Sequence, residues 1–475
     1  MILITPIQMR EVERLAEYEY GLSSAILIER AASAVLEVIE EDFENPQALK
    51  VFFAVGPGNN GKDALELAKM LGMEVDKYPL EDCEIVVDGI YGTGLNRKIS
   101  AADAELIVRI NNSGRPVYSI DIPSGVDGLT GNILGNAIIA HKTITFFGCK
   151  PGLLFGDGKD CAGQVSVHDL GIPLSEKIRD QVTLREAGLD RNIFKRKANS
   201  HKGTFGRVLC IAGTSEMRGA AALCAMGAFA AGAGLVYVAT TEKVWNTVSS
   251  LVPEAIGIIL SENINDGMSA IDMDKLLQAA RNADVVMVGP GMKTSNYTSQ
   301  IVKRLLNEVS TPLILDADAL NSISANDIKG LQNSREVLIT PHLVELERLS
   351  GVSKDEILLD RLKFVSNFST ENSCVTLLKG AGTVISSPDG EVSINTNGNP
   401  GMAVAGSGDV LAGIIAGLVA QGLSLYSAAC GGAFLHGLAG DKAAKEKGLL
   451  SIMPSDIVKY ISEACVSLER RTKDV

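Results

Sequence analysis

At 475 residues the chain is too long for one ordinary domain, and two or three are expected. Its net charge of −13 argues against bulk electrostatic binding of nucleic acid or an anionic membrane, while leaving room for a small basic pocket that takes phosphate. Eight cysteines without a C-x-x-C pair and five scattered histidines indicate neither a zinc site nor a disulfide framework.

The first residues lack a basic stretch followed by a long apolar core, so no secretory signal is read and a cytoplasmic protein is expected. Helical patterns over 6–18 and 23–39 precede strand patterns at 51–55, 85–88, 117–120, 143–147 and 164–167, with a helix at 64–71. Residues 174–198 are charged and weakly periodic, which predicts a solvated connector and a boundary near 190, giving domains 1–190 and 191–475. The uncharged stretch 219–241 is broken by Gly232-Ala233-Gly234 and reads as a buried helix followed by a buried strand, not a membrane span. Further strands are expected at 207–212, 235–240, 285–288, 313–316, 337–340, 375–378, 382–385 and 392–395, and long helices at 409–420 and 427–439. Alternation of strands and helices in both halves predicts α/β architecture with parallel sheets wrapped by helices.

Three strand-end loops stand out in the first half. Gly56-Pro57-Gly58-Asn59-Asn60-Gly61-Lys62-Asp63 joins a strand to a helix, where phosphate contacts are usual, but it is neither G-x-G-x-x-G nor a P-loop. Its asparagines offer carbonyl oxygens to a hard cation and amides to a ligand; a plain Asn-Gly turn is the alternative. Asp88 with Gly92-Thr93-Gly94, and Asp121-Ile122-Pro123-Ser124-Gly125, repeat the arrangement. Carboxylates at neighbouring strand ends converge on a crevice, with Asp121 a candidate base and Asp88 a candidate cation ligand. Capping of the following turn is the alternative for each.

These strings resemble the NAD(P)H-hydrate epimerase family in order and spacing over about residues 5–170. The resemblance implies a Rossmann-like, three-layer α/β/α domain that interconverts the R and S epimers of hydrated NADH and NADPH. It assigns substrate contacts to Asn59, Asn60, Gly61, Lys62 and Asp63, and to Gly92, Thr93, Gly94, Leu95, Asn96, Arg97 and Lys98. It gives a potassium ion to Asn60, Asp88 and Ser124, and the acid–base role to Asp121. Where the family usually reads Gly-Gly-Asp-Gly, this chain has Gly61-Lys62-Asp63-Ala64.

In the second half, the segment from Asn397 to Gly413 is a glycine-rich turn ending in one carboxylate, Asp409, followed at once by an apolar helix. Small residues let backbone N–H groups approach an anion, and the helix start adds partial positive charge. The alternative is that Asp409 merely caps the helix. Other strand ends carry Gly289-Pro290-Gly291, Asp316 to Asn321, Thr340-Pro341-His342 with Glu345, and Lys379 to Thr383. By themselves His342 reads as a turn residue and Lys379 as a surface lysine.

With His436 to Asp441 and Pro454-Ser455-Asp456, these strings resemble the ADP- or ATP-dependent NAD(P)H-hydrate dehydratases, ribokinase-like α/β/α enzymes, over about 199–465. The resemblance implies dehydration of the S epimers, NADHX and NADPHX, driven by nucleotide hydrolysis. Asp409 is then the catalytic acid–base residue, also contacting substrate beside Ala220, Gly291 and His342. Lys379, Gly380, Ala381, Gly382, Thr383 and Gly408 bind the adenine nucleotide, with ADP expected over ATP and Mg2+ as companion ion. The expected partners are these small molecules, without nucleic acid or membrane, in a homo-oligomer. The alternative is a ribokinase-like small-molecule kinase fused to a non-catalytic Rossmann-like binding module.

Overall fold

A computed structural model gives the fold and describes residues 1–263, 267–268, 272–329 and 336–473. The chain divides into two compact units, Met1–Arg185 and Glu186–Val475.

The first unit opens with α1 (Pro6–Tyr20). Thr5 and Gln8 form a capping box, Pro6 occupies the first turn, and Gly21 ends the helix in the left-handed region at φ 66°. Met9, Val12, Leu15 and Ala16 recur at helical spacing and turn inward. With α2 (Ser24–Asp42) and α3 (Asn59–Met70) they cover one face of a parallel sheet, packing on Ile85 and Val87; Val86, one residue out of phase, faces Ile107 and Ile110 of α4 (Ala101–Asn112). The sheet holds β1 (Val51–Val55), β2 (Ile85–Gly89), β3 (Val117–Ile120), β4 (Lys142–Phe146) and β5 (Gln164–His168) in sequence order. Asp88 pairs in register with Ala54 on one side and Ser119 on the other, which brings the ends of β1, β2 and β3 level.

One local expectation changes. The helix after β1 begins at Asn59 rather than at residue 64, so Asn59 to Asp63 lie in its first turns. A Cβ on Gly61 would stand 1.9 Å from the Gly56 carbonyl oxygen, so the bare glycine lets the helix start directly against the strand end.

In the second unit the strands expected at 382–385 and 392–395 are Val384–Ser386 and Val392–Ile394, the antiparallel members of a larger sheet. Its parallel part runs Val375–Leu378, Val337–Ile339, Leu313–Leu315, Val285–Val288, Arg207–Ile211, Leu235–Thr241, Ile256–Leu260. Chain order reverses between Val285–Val288 and Arg207–Ile211, the kind of place where open α/β sheets bind ligands. Over one face, helix Arg218–Ala230 crosses helix Ser407–Ala420 at backbone contact. A Cβ on Gly413 would lie 2.2 Å from the Cys224 carbonyl oxygen. The helix expected over 427–439 runs Leu425–Lys447, because its glycines are packing positions and not breaks: a Cβ on Gly440 would meet Met402 Sδ at 2.2 Å. The stretch 219–241 is a helix and strand as expected, and no described helix is long and apolar enough to cross a membrane.

Candidate active sites

A cleft of about 370 Å³ opens at the ends of β1, β2 and β3, lined by Asn59, Asn60, Asp63, Gly92 to Arg97 and Asp121 among others. Gly61, Lys62 and Lys98 are not among its lining residues. Asp121 takes a left-handed backbone, φ 66°, which a non-glycine residue adopts at a cost and which is common at functional positions. Its Oδ1 lies 2.7 Å from Lys150 Nζ, in a pair whose side chains are 9% and 1% exposed. Thr145 Oγ1 donates to the same oxygen, and the Thr93 N–H to Oδ2.

Behind the cleft, Asp88 is fully buried. It accepts from Ser124 Oγ at 2.5 Å, the Ser124 N–H at 2.8 Å and Ser119 Oγ at 2.8 Å. Burial raises its pKa, and the bonds from Ser124 and Ser119 oppose that. No cationic side chain pairs with it among the described residues. Asn60 Nδ2 donates to the Tyr91 and Ile120 carbonyls, and its Oδ1 packs where Gly92 has no Cβ. One buried carboxylate among neutral oxygens, with no cation, is a donor set that suits a hard monovalent ion, so Asn60, Asp88 and Ser124 fit potassium. Lys62 does not replace it: its Nζ lies on the exposed side, 3.4 Å from Asn59 Oδ1.

In the second unit, Gly406 is the N-cap of Ser407–Ala420, in the left-handed region at φ 96°, and supplies no side-chain cap. Asp409 sits in the first turn without a capping bond, which removes the cap alternative. The N–H groups of Gly408 and Asp409 have no protein acceptor among the described residues, as an anion site requires. Burial, then Asp316, push the Asp409 pKa up to about 6, while Lys379 opposes them.

Lys379 is a partly buried residue at the end of its strand. Its Nζ bonds Asp316 Oδ1 at 2.7 Å and lies 3.8 Å from Glu345 Oε2. Burial works to lower its pKa, and Asp316 and Glu345 more than reverse that. Gly380 to Thr383 form the turn, closed by Thr383 Oγ1 donating to the Gly380 carbonyl. Ala220 and Gly291 adjoin: a Cβ on Gly291 would stand 2.9 Å from Ala220 Cβ. His342 caps the helix Leu343–Ser350 in a capping box with Glu345, and its side chain is 52% exposed. Glu345 thus ties His342 to Lys379. Among the described residues no three His, Cys, Asp or Glu side chains cluster as a metal cage. Mg2+ arriving on nucleotide phosphates needs only one or two carboxylates, which Asp316 and Asp409 can offer.

A family model described as NAD(P)H-hydrate dehydratase matches residues 208–463, and one for the N-terminus of YjeF-related proteins matches 24–82 and 73–152. The bifunctional NAD(P)H-hydrate repair enzyme of Moorella thermoacetica is 36% identical over all of this chain and 98% of its own length. The chain belongs to the bifunctional NAD(P)H-hydrate repair enzyme family. The ADP/ATP-dependent NAD(P)H-hydrate dehydratase of Bacillus subtilis, crystallised with ATP and Mg2+, is 28% identical with a TM-score of 0.51, covering 58% of this chain and 94% of that one. A ribokinase-like protein of Enterococcus faecalis is 29% identical with a TM-score of 0.52, covering 60% and 96%.

Some features of the two candidate sites escaped the sequence reading. Lys150 is one, although a lone lysine in Phe146-Phe147-Gly148-Cys149-Lys150-Pro151-Gly152-Leu153 was a signal, since an apolar run admits a cation only with a partner. Glu13 gave no signal, being one of four acids on an amphipathic helix. Asp316 is visible after its strand, but its pairing with Lys379 crosses 63 positions. His436 stands in a string the sequence singled out, but its contact with the Asp409 helix was not visible there: buried, it lies with Nε2 3.3 Å from Ser407 Oγ.

Proposed function

We propose that the chain repairs hydrated nicotinamide cofactors, with an epimerase site in Met1–Arg185 and an ADP-dependent dehydratase site in Glu186–Val475. In the first, Asp121 handles the proton of the ring hydroxyl, within walls made by Asn59, Asn60, Asp63 and Gly92 to Arg97. Potassium, held by Asn60, Asp88 and Ser124, would supply the charge that ties three loops together.

In the second, the Asp409 carboxylate removes the proton of the substrate hydroxyl. That oxygen attacks the terminal phosphorus of ADP, an O–P bond forms, and the bond to AMP breaks. The ring carbon–oxygen bond then breaks, phosphate leaves, and loss of a proton from the neighbouring carbon restores the double bond. Free N–H groups at Gly408 and Asp409 and the Lys379 ammonium meet the charge that develops on the phosphoryl oxygens. Mg2+ neutralises phosphate charge. Ala220, Gly291 and His342 line the substrate side, and Lys379 to Thr383 with Gly408 take the nucleotide.

The observation that carries the reading is Asp409: a partly buried carboxyl group at a helix start without a side-chain cap, near Lys379 and Asp316. The test is product analysis with the S epimer, ADP and Mg2+. NADH, AMP and phosphate in equal amounts are expected. A phosphorylated product without free phosphate would make the protein a kinase.

A further inference from the structure

The first-unit cleft is lined by three carboxyl groups, one ammonium and two guanidinium groups: Arg10 and Glu13 on α1, Asp63 on α3, Arg97 after β2, Asp121 after β3, and Lys150 after β4. Lys150 spends its three protons on Asp121 Oδ1, Thr145 Oγ1 and the Phe146 carbonyl. It therefore neutralises one carboxylate, Asp121. Asp63 is 6% exposed and makes no ion pair among the described residues, since the neighbouring Lys62 turns outward to Asn59.

We propose that Asp63 is a second catalytic residue of the epimerase site. It delivers, as a carboxylic acid, the proton that the ring nitrogen takes up while Asp121 removes the proton of the ring hydroxyl. The proposal rests on the epimerase reading. Water adds to an enamine so that the hydroxyl ends on the carbon beside nitrogen. When Asp121 takes the hydroxyl proton, the oxygen becomes a carbonyl, the carbon–nitrogen bond breaks, and its electron pair goes to nitrogen, which Asp63 protonates. The open aldehyde turns about its single bond. Asp63 then recovers the nitrogen proton, nitrogen attacks the other face of the carbonyl, and Asp121 returns its proton to oxygen. Every atom and electron is restored, and no co-reactant is consumed.

The cycle needs the two carboxyl groups in opposite states. One of them, Asp121, is paired with the buried Lys150 ammonium. Burial, then Asp121 and Glu13, push the Asp63 pKa up to about 8, with Lys62 opposing. Burial, then Asp121, also raise Glu13, against Lys150 and Arg10.

The experiment follows R-to-S conversion by chromatography without nucleotide, above the spontaneous rate, in the full-length protein across pH. A wild type that gives no acceleration removes the epimerase reading itself, and the proposal with it. Given acceleration, the wild-type rate falls as pH rises through about 8. Asp63→Asn slows it by roughly 10²–10⁴ and lacks that alkaline fall, while Asp63→Glu recovers part of the rate. A wild-type profile flat through this range overturns the proposal without any variant. So does an Asp63→Asn enzyme that keeps the fall or turns over near the wild-type rate.

Discussion

Replacing Lys379 with Met removes an ammonium and little else, because the two side chains have similar length. Asp316, 2% exposed, is left with Thr340 Oγ1 as its remaining side-chain donor among the described residues. Breaking a buried pair from one side costs about 3–5 kcal/mol, and the 20% exposure of Lys379 admits enough water to favour the lower end. Unfolding entropy scales with length, so for the unit Glu186–Val475 one kcal/mol shifts the transition by roughly 1.5–2 °C, and the second unit's thermal transition drops by about 5 °C. A second effect has a definite sign. Lys379 lowers the Asp409 pKa against burial and Asp316, so its loss moves that pKa above about 6. The base is then ionised over a higher pH range. Calorimetry gives the first quantity, and the midpoint of dehydratase rate against pH gives the second. An unchanged transition with an unchanged midpoint would refute the pairing of Lys379, Asp316 and Asp409.

In the wild type, dehydration falls as pH drops through about 6, because a base with a raised pKa loses its ionised form there. Asp409→Asn lowers the rate by roughly 10²–10⁴ while nucleotide still binds, as calorimetric titration would register; near-normal turnover would remove Asp409 from the chemistry. His436, whose pKa burial lowers to about 4, stays neutral in the folded protein while an unfolded chain protonates it below 6.5. Its contribution is therefore present above pH 6.5 and lost between 6.5 and about 4, by about 3 kcal/mol, and chemical denaturation across that range should show a shallower acid loss in His436→Gln. Potassium raises the first unit's melting temperature relative to choline in the wild type and leaves Asp88→Ala unaffected; equal shifts in both would reject the Asn60, Asp88 and Ser124 site.

The three first-unit loops were legible because each places an acid or amide and glycines directly after an apolar strand, a local pattern that survives folding. The start of α3 was not. Asn59-Asn60-Gly61 has turn composition, but contact of Gly61 with the Gly56 carbonyl lets tertiary packing override that preference. Asp409 was legible as a residue with two meanings, and the backbone removes one of them by giving the cap to Gly406. Glu13 and Lys150 come to Asp121 from elements far apart in sequence, so no spacing announces them. For His342 the turn reading captured its local role as a helix cap, and its bond to Glu345 adds the link to Lys379.

The central claim is that one chain carries both repair steps. Its most direct test is the amplitude of NADH absorbance recovered from an equal mixture of R and S epimers with ADP and Mg2+. Recovery of nearly all the substrate as NADH, well ahead of spontaneous epimerisation, is the predicted result. A plateau at the S fraction would contradict the epimerase half of the account, and no recovery with either ADP or ATP would contradict the whole.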